Sequence, residues 1–247
     1  RLYSVFTHCM LLAARQEGGL VRNIIGDRVM IVFPQDHCCT KAVNCAITIN
    51  HIAMLINKKI DNLDFKCGIG IDYGRMRVMK VGVVTKGAEN DDNKGLFWVG
   101  YPANFASRLT DCANKEFTDI MYQVDAKFYH YNLWGDNTLF GFKPSGWYRE
   151  TQKLTAEELA QSLVVKTVGY GSALTVSKCI DPVSIKQIKE KYKYDAILVS
   201  DAVYKGFKAE NPKNKSILEN WWKVQKRSIR DIEFDVWGTD LHWIFSD

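Results

Sequence analysis

Residues 20–33 read Leu-Val-Arg-Asn-Ile-Ile-Gly-Asp-Arg-Val-Met-Ile-Val-Phe, two apolar runs with only Gly26-Asp27 between them. The β-branched side chains in these runs crowd a helix and fit a pleated strand. Two such runs on either side of a Gly-Asp pair predict a tight antiparallel hairpin, since a two-residue turn needs backbone that these residues tolerate. Asp27 then stands at the tip, exposed and held by both strands. A carboxylate so placed is a hard oxygen donor suited to a divalent cation that keeps waters for a bound phosphate, although Gly-Asp pairs also fill turns that bind nothing.

The flanking sequence has helical period. Residues 2–14 place Leu2, Phe6, Cys9, Met10 and Ala13 on one side and stop at Gly18-Gly19. Residues 37–58 repeat the pattern with Ala42, Cys45, Ala46, Ile49, Ala53 and Ile56. Phe65 to Asp72, Met76 to Val84 and Leu96 to Val99 read as strands, with a polar loop from Glu89 to Gly95. Pro102 suits a first helical turn, and residues 102–114 continue as a helix. The order α-β-β-α-β-β-β-α predicts an α+β fold, a mixed sheet backed by helices.

Beyond residue 115 the pattern changes. Residues 116–193 are dense in aromatics and read as an insertion packed on the main sheet within one domain spanning 1–247, not as a separate domain. Thr155 and Glu158 form a capping box for a helix over 156–164, and Asp181-Pro182 predicts a helix running to about Lys193. Asp195 to Val199 reads as a strand, Ser200 to Phe207 as a helix and residues 208–216 as a polar loop, followed by a Trp-bearing turn or helix. A last hairpin is expected over 232–237 and 240–245, bent at Gly238-Thr239.

Composition narrows the class. With 247 residues, 47% hydrophobic and 25% charged, the chain can build a sizeable core, which excludes disorder, collagen-like repeats and small disulfide scaffolds. No uninterrupted apolar run reaches the ~18 residues of a bilayer span, so no membrane segment is expected. The net charge of +5 is spread out, and the lysines crowded between Lys178 and Lys226 are not interleaved with aromatics. The mild positive balance suits a phosphate-bearing small substrate as well as a nucleic acid, so charge alone does not decide, but with no nucleic-acid pattern in the basic residues no nucleic-acid partner is expected. Seven cysteines with no CxxC spacing read as reduced thiols of a cytoplasmic protein. Helix-like sequence starts at Arg1 itself, so the domain reads as incomplete at its N-terminus.

A second motif is Val99-Gly-Tyr-Pro-Ala-Asn-Phe-Ala-Ser-Arg-Leu109. Asn104 and Arg108 are four residues apart and share a helix face. A guanidinium fork beside an amide suits charge developing on a phosphoryl group, while the same pair also occurs at any polar helix edge.

Taken together, the Gly26-Asp27 hairpin, the long helix, Gly68-Ile-Gly-Ile-Asp-Tyr-Gly74 and Gly100-x-x-x-Asn104-x-x-x-Arg108 resemble the class III nucleotidyl cyclase catalytic domain, a ferredoxin-like, palm-type fold. The likeness runs over residues 1–112 and resumes at 195–205 and 232–245. It implies a 3′,5′-cyclic nucleotide made from a nucleoside triphosphate with release of pyrophosphate, at sites shared by a head-to-tail homodimer. On that resemblance Asp27 is the second of two aspartates holding two divalent cations (Mn2+ or Mg2+), and the first lies on a strand upstream of Arg1. Arg108 would stabilise charge on the α-phosphorus, and Asn104 would position the ribose. The family's triphosphate-binding lysine has its nearest match at Trp237, leaving Lys223, Lys226, Arg227 and Arg230 as unplaced candidates. The insertion over 116–193 is longer than the family's usual connection.

Two positions bear on the base. Purine cyclases place Lys or Glu four residues before the hairpin aspartate and a polar residue three before the glycine that opens the Asn/Arg helix; here these are Asn23 and Phe97. An Asn amide both donates and accepts, and Phe97 would leave purine polar groups unpaired, although it could also be plain strand core. Gly70-Ile-Asp-Tyr-Gly74 and the motif from Trp98 to Ser107 are similar to the pyrimidine cyclases of bacterial Pycsar anti-phage systems. That likeness implies cyclic UMP, or cyclic CMP, as a messenger read by a separate effector protein. An adenylate or guanylate cyclase with an atypical pocket, and a catalytically inactive cyclase-like dimerisation module, stay open as alternatives.

Overall fold

The computed structural model describes residues 2–81, 84–85, 88–89, 95–130, 146–162, 180–225 and 235–244. They divide into two compact units, one made of residues 1–115 with 193–247, the other of 116–192.

The first unit starts with helix α1 (Leu2–Gln16), hairpin strands β1 (Leu20–Ile25) and β2 (Arg28–Val32), and helix α2 (Cys38–Lys59). Strands β3 (Ile69–Ile71), β4 (Arg77–Val81), β5 (Val84–Thr85), β6 (Ala88–Glu89) and β7 (Gly95–Val99) follow, then helix α3 (Tyr101–Cys112). The hairpin forms as expected. Ile25 faces Arg28, Gly26 takes the left-handed φ of 59° that the turn requires, and the register shifts between Val21 and Asn23.

The strand expected over residues 65–72 is confined to Ile69–Ile71, because Phe65 has other partners: its backbone N–H and C=O each bond the Asn57 side chain of α2 at 2.7 Å. The expected strand from Met76 is likewise shorter, β4, and pairs with β7. Part of the expected polar loop, residues 90–94, lies outside the described residues.

Helix α2 organises the core. By length and composition it could cross a membrane, although Lys41, Asn44, Thr48, Asn50 and His51 break its apolar run. In the structure it buries residues on two faces, the pattern of a helix enclosed by its own protein. Cys39, Val43, Ala46 and Ile47 pack on one side against Ile197, Val199, Val203 and Phe207; Cys45, Ile49 and Ala53 pack on the other against Phe6, Met10 and Ala13 of α1, with Val29 and Ile31 of β2 alongside.

The second unit holds β8 (Glu116–His130), β9 (Gly146–Leu154), α4 (Ala156–Ser162) and β10 (Ile180–Lys193), with strand order β10-β8-β9. Alternating exposure along β9 shows a sheet with one covered face. The capping box closes in both directions: Thr155 N–H donates to Glu158 at 2.8 Å, and Glu158 N–H donates to Thr155 Oγ1 at 3.2 Å.

The helix expected after Asp181-Pro182 is a strand instead. Ile188, Glu190 and Tyr192 alternate with the exposed Gln187, Lys189 and Lys191, a period of two that the Asp-Pro start signal masked. Tyr192 stacks on Phe117 at 5.6 Å, and Glu190 pairs with Lys153 at 3.2 Å. As an edge strand β10 tolerates Pro182, which lacks an N–H, and its lysines discourage further pairing.

The chain then returns to the first unit with β11 (Ile197–Ser200), α5 (Asp201–Glu210), α6 (Lys215–Leu218), β12 (Lys223–Val224) and β13 (Val236–Thr239). The mixed sheet has the order β12-β13-β11-β3, with β11 parallel to β3 and antiparallel to β13. The expected final hairpin is corrected here. β13 runs straight through Gly238-Thr239, pairing with β11 on one side and β12 on the other, and residues 240–244 form no strand. The Gln225 and Asp195 side chains close over Gly238, so that a Cβ there would sit 2.2 Å from Gln225 Nε2 and 2.7 Å from Asp195 Oδ2. Residues 232–234 and 245 of that hairpin lie outside the described residues.

Candidate active site

Helix α3 carries two of the motif residues. Pro102, Phe105 and Leu109 form its buried face. Asn104 and Arg108, and Ser107 and Asp111, are pairs four residues apart on its polar side, with Asn104 exposed and Arg108 half-buried. The helix lies close on β3. A Cβ at Gly70 would sit 2.3 Å from the Ala106 carbonyl oxygen and 2.5 Å from the Thr110 nitrogen, and one at Gly68 would sit 2.4 Å from the Ala113 carbonyl oxygen. Polar bonds fix this approach: Gly70 N–H donates to Thr110 Oγ1 at 3.0 Å, and Asn114 Nδ2 donates to the Cys67 carbonyl at 3.0 Å. The glycines of the Gly-x-Gly run thus serve helix–strand contact.

Asp27 is exposed in the hairpin turn, and its neighbour ties the hairpin to α3. Arg28 donates to Ser107 Oγ at 3.2 Å and forms an ion pair with Asp111. Both partners lie on the face that carries Asn104 and Arg108. Sequence reading missed Arg28, because its partners are 79 and 83 residues away.

The two base-recognition candidates lie on strands of separate sheets, Asn23 on β1 and Phe97 on β7, which one cation–π contact joins. The Arg22 guanidinium sits over the Trp98 ring, 5.4 Å from its centroid. Arg22 adjoins Asn23 on β1, and Trp98 adjoins Phe97 on β7. Phe97 is 59% exposed, so it is not plain strand core, and Asn23 is exposed as well.

Trp237 is committed elsewhere. Its ring stacks on Tyr204 at 3.8 Å, and its Nε1 donates to Asp201 at 3.3 Å. An indole held this way supplies no cation to a triphosphate. Lys223 is exposed, while Lys226, Arg227 and Arg230 lie outside the described residues.

Comparison with known proteins bears on this arrangement. Over 121 residues the chain is 31% identical to a uridylate cyclase of Burkholderia cepacia, covering 47% of this chain and 50% of that protein. It is 34% identical over 116 residues to a uridylate cyclase of Xanthomonas perforans (44% and 47% covered) and 30% identical over 117 residues to one of Gulbenkiania mobilis (43% and 43%). This chain is related to uridylate cyclases. It spans about half the length of the curated relatives it matches, and no family model matches it.

A uridylate cyclase relationship brings cation chemistry into question, and Asp27 fits it in kind, being an exposed hard oxygen donor. Among the described residues it is not part of any group of three donors close enough to share one ion.

A second carboxylate draws notice. Asp72, directly after β3, has its Oδ2 buried with no hydrogen-bond partner among the described residues. Burial holds its carboxyl above the ordinary range, opposed by hydrogen bonds from Ser200 and the Tyr73 backbone. Sequence reading missed it, because its burial depends on β3 lying beside β11, more than 120 residues away. A carboxyl raised by folding contributes stability that is full below its unfolded value and lost as pH rises through its folded one. Asp72→Asn should therefore melt at the same temperature as the parent below about pH 4, and higher than the parent as pH rises toward neutrality. Thermal melts across that range test this, and a variant melting lower at neutral pH would contradict it.

Proposed function

We propose that the protein is a pyrimidine nucleotidyl cyclase on a class III cyclase-like fold, converting UTP in preference to CTP into the 3′,5′-cyclic nucleotide and pyrophosphate. The observation that carries the reading is the outward face of α3. Asn104 and Arg108 share it, and Arg28 anchors the hairpin of Asp27 to it.

Arg108 would set its planar fork against charge developing at the α-phosphoryl group, and the Asn104 amide would orient the ribose. Asp27 would hold one of two divalent cations, Mn2+ or Mg2+. When bound, these supply Lewis-acid activation of the 3′-hydroxyl and neutralise the triphosphate. Lys223 is the described lysine left as a candidate for that triphosphate. The base would meet Asn23 and the exposed ring of Phe97, which offers no hydrogen bond to a purine edge.

Exposed apolar side chains favour a homodimer. Ile25, Val78, Met79, Phe97 and Tyr101 stand out on the two hairpins and the first turn of α3, and a second copy would cover such a surface. The site would then pair Asp27 of one chain with Asn104 and Arg108 of the other. The six cysteines within the described residues are free thiols, consistent with a cytoplasmic setting. There the cyclic nucleotide would act as a messenger to a separate effector in anti-phage defence.

Incubating the full-length protein with each of the four ribonucleoside triphosphates and Mn2+, with products resolved by mass, tests the proposal. Cyclic UMP as the main product is expected. A cyclic purine product would point to an adenylate or guanylate cyclase, and no cyclic product to a binding module. In the same assay Phe97→Asp or Asn23→Lys should raise the purine-to-pyrimidine product ratio about tenfold or more. An unchanged ratio in both variants would mean that the base is read elsewhere.

A further inference from the structure

A different set of donors gathers where the start of α2 meets the end of α5. Cys38 and Cys39 open α2, and Glu210 closes α5. One sulfur from each cysteine and a carboxylate oxygen of Glu210 all lie within 4.8 Å of one another. We propose that these three side chains form a Zn2+ site, with a fourth coordination position left for water.

The donor chemistry selects the ion. Two thiols exclude Mg2+ and Ca2+ and favour a borderline d10 cation that accepts both sulfur and oxygen. Zn–S and Zn–O lengths of about 2.3 and 2.1 Å give tetrahedral edges of roughly 3.4–3.8 Å, so donors within 4.8 Å of one another need to close by at most about 1.4 Å. Without an ion, burial and then the neighbouring Cys38 and Glu210 push the Cys39 thiol up to about 12, so an ion must displace that proton to bind.

The alternative fate of two neighbouring cysteines is a disulfide, and the backbone opposes it. Cα atoms joined by one trans peptide are about 3.8 Å apart, short of the ~4.4 Å minimum of ordinary disulfides. Closing that ring would break the first turn of α2.

The carboxylate is oriented in advance. Thr40 donates to Glu210 Oε2 through its backbone N–H at 2.8 Å and through its hydroxyl, and Asn211 Nδ2 donates to that hydroxyl in turn. Such outer hydrogen bonds hold metal ligands in place. Gly206 leaves the room that the Cys39 sulfur occupies, since a Cβ there would lie 2.5 Å from it. Cys38 is half-buried, which gives an ion a way in. Bound, the ion would clamp the first turn of α2 to the last turn of α5, independently of any cation at Asp27.

Titrating the reduced full-length protein with Co2+ tests the site, because thiolate-to-cobalt charge transfer absorbs in the near ultraviolet and oxygen-only sites give no such band. The expected result is a band saturating at one equivalent per chain and displaced by Zn2+. Cys38→Ser and Glu210→Gln should each weaken Co2+ binding by about tenfold or more, and Thr40→Val by about tenfold. These three positions avoid the buried Cys39, and thermal melts without metal check that each variant is folded. No charge-transfer band, or an affinity unchanged in Cys38→Ser or in Glu210→Gln, would overturn the proposal.

Discussion

Arg108→Ala should lower cyclic nucleotide formation by about 10³–10⁵-fold, the usual effect of removing an arginine that neutralises charge on a transferring phosphoryl group. Asp27→Ala should cause a comparable loss by removing a hard donor for the cation. Neither residue belongs to the apolar core: Asp27 is exposed in a turn, and Arg108 lies opposite the buried face of α3. Both variants should therefore melt near the parent temperature, which separates lost chemistry from lost folding.

The informative experiment mixes the two. If each site takes Asp27 from one chain and Arg108 from its mate, a heterodimer of the two inactive variants holds one intact site and one doubly damaged site. Random exchange makes half of the dimers mixed, so about a quarter of parental activity should return. Proven subunit exchange with no recovery would place Asp27 and Arg108 of the same chain in one site. The contact of Arg28 with Ser107 and Asp111 makes that a concrete alternative, because it already joins hairpin and helix within a single chain. Lost activity in the single variants would stand in either case.

How far such residues could be read beforehand depended on the range of the forces that place them. The β1–β2 hairpin was legible because branched apolar runs and a Gly-Asp turn are local signals, and so was the capping box of Thr155 and Glu158. Residues 180–193 were misread for the same reason. Asp181-Pro182 is a local helix start, but pairing with β8 is a tertiary term, and it won. Of the site, Asn104 and Arg108 followed from helical spacing, and the resemblance gave them meaning. The salt bridge from Arg28 could not be read, since nothing near residue 28 announces a partner at residue 111. Nor could the burial of Asp72, which arises only once β3 lies beside β11 in the sheet.

The same limit applies to Gly68 and Gly70 at β3, where the largest effect on stability is expected. In the sequence Gly68 and Gly70 read only as part of a strand and of the cyclase-like motif, yet neither needs a left-handed backbone; what each provides is the missing side chain. The atoms nearest a Cβ at Gly70 are the Ala106 carbonyl oxygen and the Thr110 nitrogen, both backbone atoms of α3, so no side-chain rotation can relieve the overlap. Gly70→Val must push α3 off β3 and stretch the bond from Gly70 N–H to Thr110 Oγ1. Overpacking in a fitted interface costs about 1–3 kcal/mol where side chains can yield, and with backbone on one side the cost should be at least about 3 kcal/mol. For a chain of this size that lowers the melting temperature by roughly 6–12 °C. Because the displaced helix carries Asn104 and Arg108, activity should fall even at temperatures where the variant stays folded. A variant that melts with the parent and keeps its rate would show that α3 does not rest on β3 this closely, and the placement of Asn104 and Arg108 would have to be redrawn.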